Sequence, residues 1–291
     1  MLYDLYGDAV HFAFDADSQS LNRAYDISGS IIFPEDSTAI KVMTYNVGEW
    51  YYGGGDNVPA DKDEAYYALQ NSMIQNANAD VLFINEYWKI MSKTGRTALS
   101  MLQQYFPYIH EQGGDSGYYG RCICSKYPIS QYTVHTYSNE ARRYYDSCVI
   151  SLGSVEITLV VTHLATDSKR NTQITELITF LSGLNYFICA GDFNTLTITG
   201  TVTTEAADYT NIIVPLLNAG FHCANCSNQG FLVTYSDSPT GTYVGCLDNI
   251  VTSSNIAIAS ATVDETKLSD GLTEKTDHMP LIATLQIGGT S

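Results

Sequence analysis

Residues 186–195 read YFICAGDFNT, an apolar run that leads directly into Asp192 and Asn194. The run has the length and the aromatic and β-branched content of a buried strand, and it is too short for a typical helix. Polar side chains that directly follow a buried strand lie at the edge of a sheet, where functional groups are often placed. The stretch therefore predicts a strand that carries Asp192 and Asn194 to the rim of a β-sheet.

Seven further apolar runs have the same character. They are IKVMTYNV (40–47), ADVLFINE (79–86), GRCICSKYPI (120–129), SCVISL (147–152), ITLVVTHL (157–164), LDNIVTS (247–253) and HMPLIATLQI (278–287). Helical patterns lie at residues 63–78, at residues 96–106 and after Asp167, a candidate N-cap. Many strands with a few covering helices predict an α/β layered sandwich.

The chain divides into two parts of different character. Residues 1–38 are polar, contain a candidate hairpin at residues 5–14, and carry no motif connected with chemistry. We interpret them as an appended segment of unknown role. Residues 39–291 hold all the strand runs and form a single expected catalytic domain.

Polar groups mark the ends of six of these runs. Four runs finish in one and two begin with one: Asn46, Glu86, His163, Asp192 with Asn194, then Asp248, and Asp277 with His278. If the last two strands are antiparallel to the first four, all these groups meet at one rim. Oxygen ligands suit Mg²⁺, Mn²⁺ or Ca²⁺, and histidines titrate near neutral pH. Each residue alone is an ordinary turn or surface residue, but together they indicate a metal-hydrolase site.

In this order the runs resemble the motifs of the endonuclease/exonuclease/phosphatase superfamily, which includes pancreatic deoxyribonuclease. KVMTYNV, a strand ending in NE, GRCICSKYPI, VVTHL, AGDFNT, LDNIV and TDHMPL follow one another within residues 40–287. GDFN and the closing DH are the specific motifs, whereas TYN and THL are individually weak. The resemblance implies a deoxyribonuclease-I-like fold: a four-layer α/β/β/α sandwich of two mixed β-sheets flanked by helices.

The resemblance also implies a role for each polar residue. The implied metal ligands, for Mg²⁺ or Mn²⁺, are Glu86, Asp277, Asn46 and Asp192. The implied catalytic residues are His163, Asp192, Asn194, Asp248 and His278. The implied substrate contacts are Asn46, Asn194 and His163. In this scheme Asp192 positions the attacking water and Asp248 orients the His278 ring. The number of metal ions, and which histidine is the acid and which the base, stay open.

The sequence departs from the pattern of the superfamily at four residues in three places. Asn85 stands where Gln is common, and Thr276 stands where Ser is usual. Both keep a similar polar group, so the chemistry is expected to be retained. Asn249 and Ile250 follow Asp248 where an aromatic or basic residue is frequent, and this change is expected to affect substrate contacts.

The implied reaction is hydrolysis of a phosphoester, with nucleic acid, DNA or RNA, as the favoured substrate. The compact core lacks long recognisable insertions for engaging lipid. The alternative is a phosphodiesterase or phosphatase for a lipid headgroup, an inositol phosphate or another small phosphoester. The net charge of −17 argues against a broad cationic surface, although a metal can meet the substrate's charge instead. A binding module that had lost the chemistry would lack some of these residues, and all are present.

An aromatic loop, GEWYYGGG (48–55), follows Asn46 and contains Trp50, Tyr51 and Tyr52. If these rings are exposed, they can stack on bases or lie at a membrane surface. The alternative interpretation is that they pack the loop.

Two other groups of residues lie outside the motifs. For Arg121, Arg142 and Arg143 a solvated surface position is favoured over binding of a second phosphate. The pair Cys223 and Cys226 forms a CxxC, but no second CxxC follows it, so a structural zinc site is disfavoured.

The start of the chain as given shows no basic segment followed by the apolar core of a signal peptide. No stretch approaches the roughly 20 apolar residues of a membrane span. The chain as given is expected to be soluble, whereas its compartment and oligomeric state do not follow from the sequence.

Overall fold

The structure is a computed structural model. It describes residues 2–3, 9–10, 38–51, 63–90, 96–115, 120–139, 142–195, 197–198, 209–225, 232–236, 244–266 and 278–288.

The described chain is rich in strands and has few helices. The strands are β1 (Leu2–Tyr3), β2 (Ala9–Val10), β3 (Thr38–Asn46), β4 (Val81–Asn85), β5 (Tyr108–Gln112), β6 (Arg121–Ser125), β7 (Ser130–Thr136), β8 (Tyr144–Leu152), β9 (Val155–His163), β10 (Phe187–Asp192), β11 (Thr197–Ile198), β12 (His222–Cys223), β13 (Tyr235–Ser236), β14 (Val244–Gly245), β15 (Asp248–Thr252), β16 (Ile256–Val263) and β17 (Leu281–Ile287). The helices are α1 (Asp63–Ala77), α2 (Ala98–Leu102), α3 (Lys169–Leu181) and α4 (Val214–Asn218), with a 3₁₀ turn at Gly48–Tyr51 and a π-helical turn at Tyr209–Ile213 that leads into α4.

Two six-stranded sheets form the centre of the molecule. Sheet 1 has the spatial order β16-β17-β3-β4-β6-β5, and sheet 2 has the order β12-β15-β10-β9-β8-β7. Both sheets are mixed, because β3 is parallel to β4 and β9 is parallel to β10, while the other pairs are antiparallel. Parallel neighbours need a crossover connection, and α1 and α3 supply the helices of these two crossovers.

The two sheets pack face to face over an aliphatic core. Successive side chains of a strand point to opposite faces, so Val81 and Phe83 enter this core while Leu82 and Ile84 point away from it. Sheet 1 contributes Ile40, Val42, Val81, Phe83 and Ile123, and sheet 2 contributes Leu159, Val161, Ile188, Ala190 and Ile250. Burying each of the larger side chains stabilises the fold by about 1.5–3 kcal/mol.

Helices cover the outer faces of both sheets. On sheet 1, Ile74 of α1 and Met101 of α2 belong to the same buried cluster as Leu82 of β4. On sheet 2, Leu177 of α3 and Leu216 of α4 belong to the same buried cluster as strand residues of β9, β10 and β15. The layers therefore follow the order α/β/β/α, and the expected sandwich of two mixed sheets is confirmed.

All eight predicted strands are present, and the three predicted helices form as α1, α2 and α3. The expected N-cap Asp167 accepts a hydrogen bond from the Lys169 backbone N–H at 2.9 Å, although Ser168 is the residue that directly precedes α3. In α1 the fully buried face includes Met73, Ile74 and Ala77.

The N-terminal segment is described only at β1 and β2, which pair as a short hairpin between Leu2 and Val10. The predicted hairpin was placed a few residues later, and the remainder of the segment lies outside the described residues. Its separation from the catalytic domain at residue 38 stays a prediction.

Among the described residues, no helix has both the length and the apolar character needed to cross a lipid bilayer.

Candidate active site

Strand register brings the predicted polar residues to one rim of the sandwich. In sheet 2, Asp192 pairs with His163 on one side and with Asp248 on the other. In sheet 1, Asn46 and Asn85 pair at the ends of β3 and β4. β15 is antiparallel to β10, and β17 is antiparallel to β3. The polar residues that begin or precede β15 and β17 therefore lie at the same rim as the polar residues that end β10 and β3. The required strand directions are therefore those that the sequence predicted.

Asn46 connects the polar residues of sheet 1 with those of sheet 2 at the rim. Its fully buried amide nitrogen lies 3.1 Å from Glu86 Oε1, 3.1 Å from Asp192 Oδ2 and 3.4 Å from His278 Nε2. Its Oδ1 accepts the Gly48 backbone N–H at 3.1 Å. This bond turns the donating side of the amide toward the carboxylates, and Asn46 thereby holds both of them in place.

His278 and Asp248 form a buried pair. His278 Nδ1 lies 2.7 Å from Asp248 Oδ2, which leaves Nε2 facing Asp192 Oδ2 at 3.7 Å. Burial raises the pKa of Asp248, against the lowering effect of His278. Thr234 Oγ1 accepts the Asp248 backbone N–H, and the Tyr235 ring meets the His278 ring edge-on at 5.3 Å. The ring is thus fixed with Nε2 presented to the cleft.

The pKa shifts of the site residues favour an ionised Asp192 carboxylate beside a neutral His163 imidazole. Burial by itself raises the pKa of Asp192, but His163, at 3.2 Å, and His278 hold it well below its usual range. Burial lowers the pKa of His163, and the positive charge of Arg143 lowers it further, against Asp192. Burial raises the pKa of Glu86, with His163 opposing the shift. Among these residues, Asp192 therefore has the carboxylate that is most completely ionised near neutral pH.

Two site residues have strained backbones. Glu86 and Asn194 each follow a strand and each have φ of 50°, in the left-handed region that non-glycine residues seldom adopt. Asn194 is held there by its N–H, which donates to Asp192 Oδ1, by its Nδ2, which donates to the Leu164 carbonyl, and by Arg170, which donates to its carbonyl. Strain of this kind costs on the order of 1–3 kcal/mol per residue and is concentrated at functional sites.

The geometry fits a divalent cation. Glu86, His163 and Asp192 each offer one ligand atom, and these atoms lie within 4.8 Å of one another. Carboxylate oxygens are the ligands that Mg²⁺ and Mn²⁺ prefer, whereas the imidazole nitrogen suits transition metals such as Zn²⁺ and Fe²⁺ better than Mg²⁺. The sequence predicted roles in catalysis and substrate contact for His163. Its position in the candidate metal-binding group was not predicted.

Seven of the eight predicted site residues meet at this rim. They are Asn46, Glu86, His163, Asp192, Asn194, Asp248 and His278. The eighth, Asp277, lies outside the described residues, as does Thr276, and its role as a metal ligand stays a prediction.

The aromatic loop is partly explained. Trp50 is buried, donates from Nε1 to the Trp88 carbonyl at 2.7 Å, and packs edge-on against Tyr87. For this residue the loop-packing interpretation is confirmed. The backbone of Tyr51 belongs to the 3₁₀ turn, and Tyr52 lies outside the described residues.

The expected solvated position is wrong for Arg121. Its guanidinium is buried between the sheets in a two-point ion pair with Asp146, at 2.7 and 3.0 Å. Arg142 is exposed as expected, and Arg143 is half-buried.

The CxxC motif is described only at its first cysteine. Cys223 is buried in β12, whereas Cys226 lies outside the described residues. Six cysteines are described, and all six are buried.

Two further residues support the site and were not assigned to it from sequence. Asn85, noted only as a departure from the superfamily pattern, bonds the Asp192 backbone. Arg170 bonds the Asn194 carbonyl from the first turn of α3. A polar residue at the end of an otherwise apolar strand was the available signal for Asn85, whereas Arg170 carried none.

Known proteins share this architecture. The family model described as Endonuclease/Exonuclease/phosphatase family matches residues 43–278. No curated protein matches the sequence. Truncated Caenorhabditis elegans TDP2 is similar in structure, with a TM-score of 0.63 and 17% identity over 85% of this chain and 97% of that chain.

Two other solved structures are similar to a comparable degree. D. rerio TDP2 complexed with a single-strand DNA product has a TM-score of 0.60 and 16% identity, over 85% of this chain and 99% of that chain. The human Nocturnin catalytic domain has a TM-score of 0.58 and 14% identity, over 86% of this chain and 94% of that chain. At such identities the structural likeness concerns the fold alone, whereas the family model matches most of this chain. The chain belongs to the endonuclease/exonuclease/phosphatase family.

Proposed function

We propose that this chain is a divalent-metal-dependent hydrolase of phosphodiester bonds in nucleic acid. One observation carries the proposal: Glu86, His163 and Asp192 converge within a few ångströms, and Asn46 links them to His278. Membership of the family supports hydrolysis of a phosphoester. The chemistry that follows uses the residues of this cluster.

Glu86 and Asp192 are the proposed principal ligands of a Mg²⁺ or Mn²⁺ ion, with His163 and Asp277 as further candidates. Asn46, proposed from sequence as a ligand, has its Oδ1 bonded to the Gly48 N–H and directs its Nδ2 at the carboxylates, so its role here is to hold the ligands in place. Such an ion supplies polarisation of a phosphoryl oxygen and stabilisation of the leaving oxygen.

The protein side chains provide positioning and charge. Asp192 stays ionised near neutral pH, so it can accept a hydrogen bond from an attacking water and orient it. His278, held by Asp248, directs Nε2 at the same carboxylate. Asn194 is the proposed contact for the phosphoryl oxygens, where negative charge develops, and His163 shares this role where it does not bind the ion.

A group of basic residues on the His163 side of the rim favours a polyanionic substrate. This basic flank consists of Arg143 and Arg170 together with their chain neighbours Arg142 and Lys169, the last of which lies 3.9 Å from Asp167 Oδ2. Arg143 acts electrostatically on His163, and Arg170 bonds the Asn194 carbonyl. Asn139, in the connection before Arg142, donates to the Lys169 carbonyl at 3.0 Å and so ties this connection to α3. In a chain of net charge −17, such a flank is suited to phosphates beside the scissile one.

The comparisons add one supporting observation, because D. rerio TDP2 is complexed with a single-strand DNA product. The alternative of a lipid or small-molecule substrate drew on exposed aromatics in the loop after Asn46. Trp50 is buried and offers no surface for lipid or bases, so this residue favours neither substrate.

Activity is expected to require Mg²⁺ or Mn²⁺ and to disappear in excess EDTA, because the rim concentrates carboxylates that need a counter-charge. The measurement is a screen of plasmid DNA, RNA, sphingomyelin, inositol phosphates and bis-p-nitrophenyl phosphate, each with Mg²⁺ and with EDTA. Full turnover in rigorously metal-free protein would contradict the proposed mechanism. Turnover confined to sphingomyelin or inositol phosphates would replace nucleic acid by the alternative substrate.

Arg143→Gln is expected to lower kcat/KM on an oligonucleotide by about tenfold or more, the scale of a lost hydrogen bond to a charged group. On bis-p-nitrophenyl phosphate, which has a single phosphate, the loss should be much smaller. The slope of log kcat/KM against log salt should also become shallower.

The matched control is Lys126→Gln, because Lys126 bonds Asp80 at the opposite end of β4. It should leave both substrates unaffected. Equal losses on both substrates for Arg143→Gln would assign Arg143 to the reacting phosphate and remove the argument for a polyanion.

A further inference from the structure

The buried amide of Asn85 crosses between the two sheets next to the candidate site. Asn85, the last residue of β4 in sheet 1, is fully buried. Its Nδ2 donates to the Thr162 carbonyl at 2.9 Å, and its Oδ1 accepts the Asp192 backbone N–H at 2.9 Å. Both partners belong to sheet 2, on the neighbouring strands β9 and β10. Each end of the amide is therefore committed to the opposite sheet.

The amide connects three residues, and each of them is a metal-binding candidate or directly precedes one. Asn85 precedes Glu86, Thr162 precedes His163, and Asp192 is itself a member of the group. A shift of Asn85 therefore moves the strand ends that carry all three ligand atoms, which now lie within 4.8 Å of one another. Asn85 therefore positions the side chains of the site through backbone hydrogen bonds and does not contact their reacting atoms.

Gly191 makes this close approach possible. Its φ is 146°, and a Cβ at this position would lie 2.0 Å from the Thr162 carbonyl oxygen and 2.8 Å from Asn85 Oδ1. Any side chain here would push the amide and β9 away from β10. Both the glycine and the amide are thus needed for the observed spacing.

A second contact between the sheets separates this role from holding the fold together. Arg121 of sheet 1 and Asp146 of sheet 2 form a buried ion pair, and the aliphatic core lies between the same sheets. Removal of the Asn85 amide leaves both of these intact. Its loss is therefore expected to act locally, on the relative positions of Glu86, His163 and Asp192.

We infer that Asn85 is a positioning residue whose amide sets the spacing of Glu86, His163 and Asp192, and with it the affinity of the site for a divalent cation. This inference rests on the proposed function, because it takes these three residues as the cation-binding group. Groups that orient metal ligands commonly contribute about 10- to 100-fold to metal affinity.

The test is titration of the full chain with Mn²⁺ by isothermal calorimetry, without substrate. Asn85→Ala removes both hydrogen bonds and is expected to raise the Kd for Mn²⁺ by about 10-fold or more. Asn85→Thr keeps a strand-forming residue whose hydroxyl can donate and accept but lies closer to the backbone than the amide, so it should restore the two bonds only in part, and its Kd should lie between those of Asn85→Ala and the parent. This second variant preserves the test if Asn85→Ala does not fold.

The matched control is Thr252→Val, at the far end of β15, which removes a buried hydrogen bond to the Ile256 carbonyl. It should lower the melting temperature yet leave the Kd for Mn²⁺ unchanged. A Kd within twofold of the parent for a folded Asn85→Ala or Asn85→Thr variant would overturn the inference alone. Absence of Mn²⁺ and Mg²⁺ binding in the parent chain would instead overturn the proposed metal dependence, and the inference with it.

Discussion

His278→Ala is expected to lower kcat by at least about 10²-fold, the usual scale for a positioned proton-transfer group, and Asp192→Ala by at least as much. His278 Nε2 and His163 Nε2 both face Asp192 Oδ2, at 3.7 and 3.2 Å, so either substitution removes one side of the same constellation. Both residues lie at strand ends, and both variants should fold. The measurement is steady-state kinetics on the substrate that the metal screen identifies, with thermal melting of each variant.

Crowding of like charges predicts, from sequence alone, that Asp192→Ala slightly stabilises the metal-free protein. The structure argues for the opposite sign. The carboxylate accepts hydrogen bonds from Asn46 Nδ2 and the Asn194 N–H, and its pKa is lowered, so its ionised form is favoured in the folded state. A small loss of stability is therefore expected.

Cys189→Asp in the same strand is the contrasting variant. Cys189 is three residues before Asp192, fully buried in the cluster between sheet 2 and its helices. A carboxylate there has no partner, so the fold should be lost. Near-parent rates in folded His278→Ala and Asp192→Ala proteins would show that the site is wrongly assigned, whatever the fate of Cys189→Asp.

The strands that could be predicted are those buried on both faces. β4, β6 and β10 are continuous apolar runs, because each has the intersheet core on one side and helices on the other. β5 and β7 are edge strands with mostly exposed or half-buried residues, and β7 reads SQYTVHT, which contains no apolar run. Periodicity carries little signal for such strands, since pairing with the neighbouring strands β6 and β8, and not burial of their own side chains, holds them in the sheets.

The sequence predicted those residues of the site that lie at the ends of strands. Asn46, Glu86, His163 and Asp192 are placed by strand direction alone, once the sheet order is fixed. Asn85 could not be assigned in this way, because its partners are 77 and 107 residues away and on the other sheet. Long-range hydrogen bonds of buried amides depend on how the sheets stack, which hydrophobic pattern does not specify.

Arg121→Met is expected to destabilise the protein by about 3–5 kcal/mol, because it leaves the Asp146 carboxylate buried without its partner. The guanidinium of Arg121, in β6 of sheet 1, forms two hydrogen bonds to Asp146, in β8 of sheet 2, and lies 4.9 Å from the centre of the Tyr144 ring. Both charged side chains are almost fully buried, at 4% and 1% exposure. The free energy of unfolding is measured by urea titration of the metal-free protein.

The double variant Arg121→Met/Asp146→Leu separates the worth of the pair from the penalty for breaking it. Replacement of a buried ion pair by apolar side chains is often neutral or stabilising, so the double variant should recover most of the loss. Lys89→Met is the matched surface control: Lys89 and Asp115 lie 2.8 Å apart at 40% and 73% exposure, and such a pair contributes about 0–1 kcal/mol. A loss in Arg121→Met no larger than in Lys89→Met would mean that water reaches Asp146. A double variant as unstable as Arg121→Met would mean that the ion pair itself joins the sheets, as the Asn85 amide does nearer the rim.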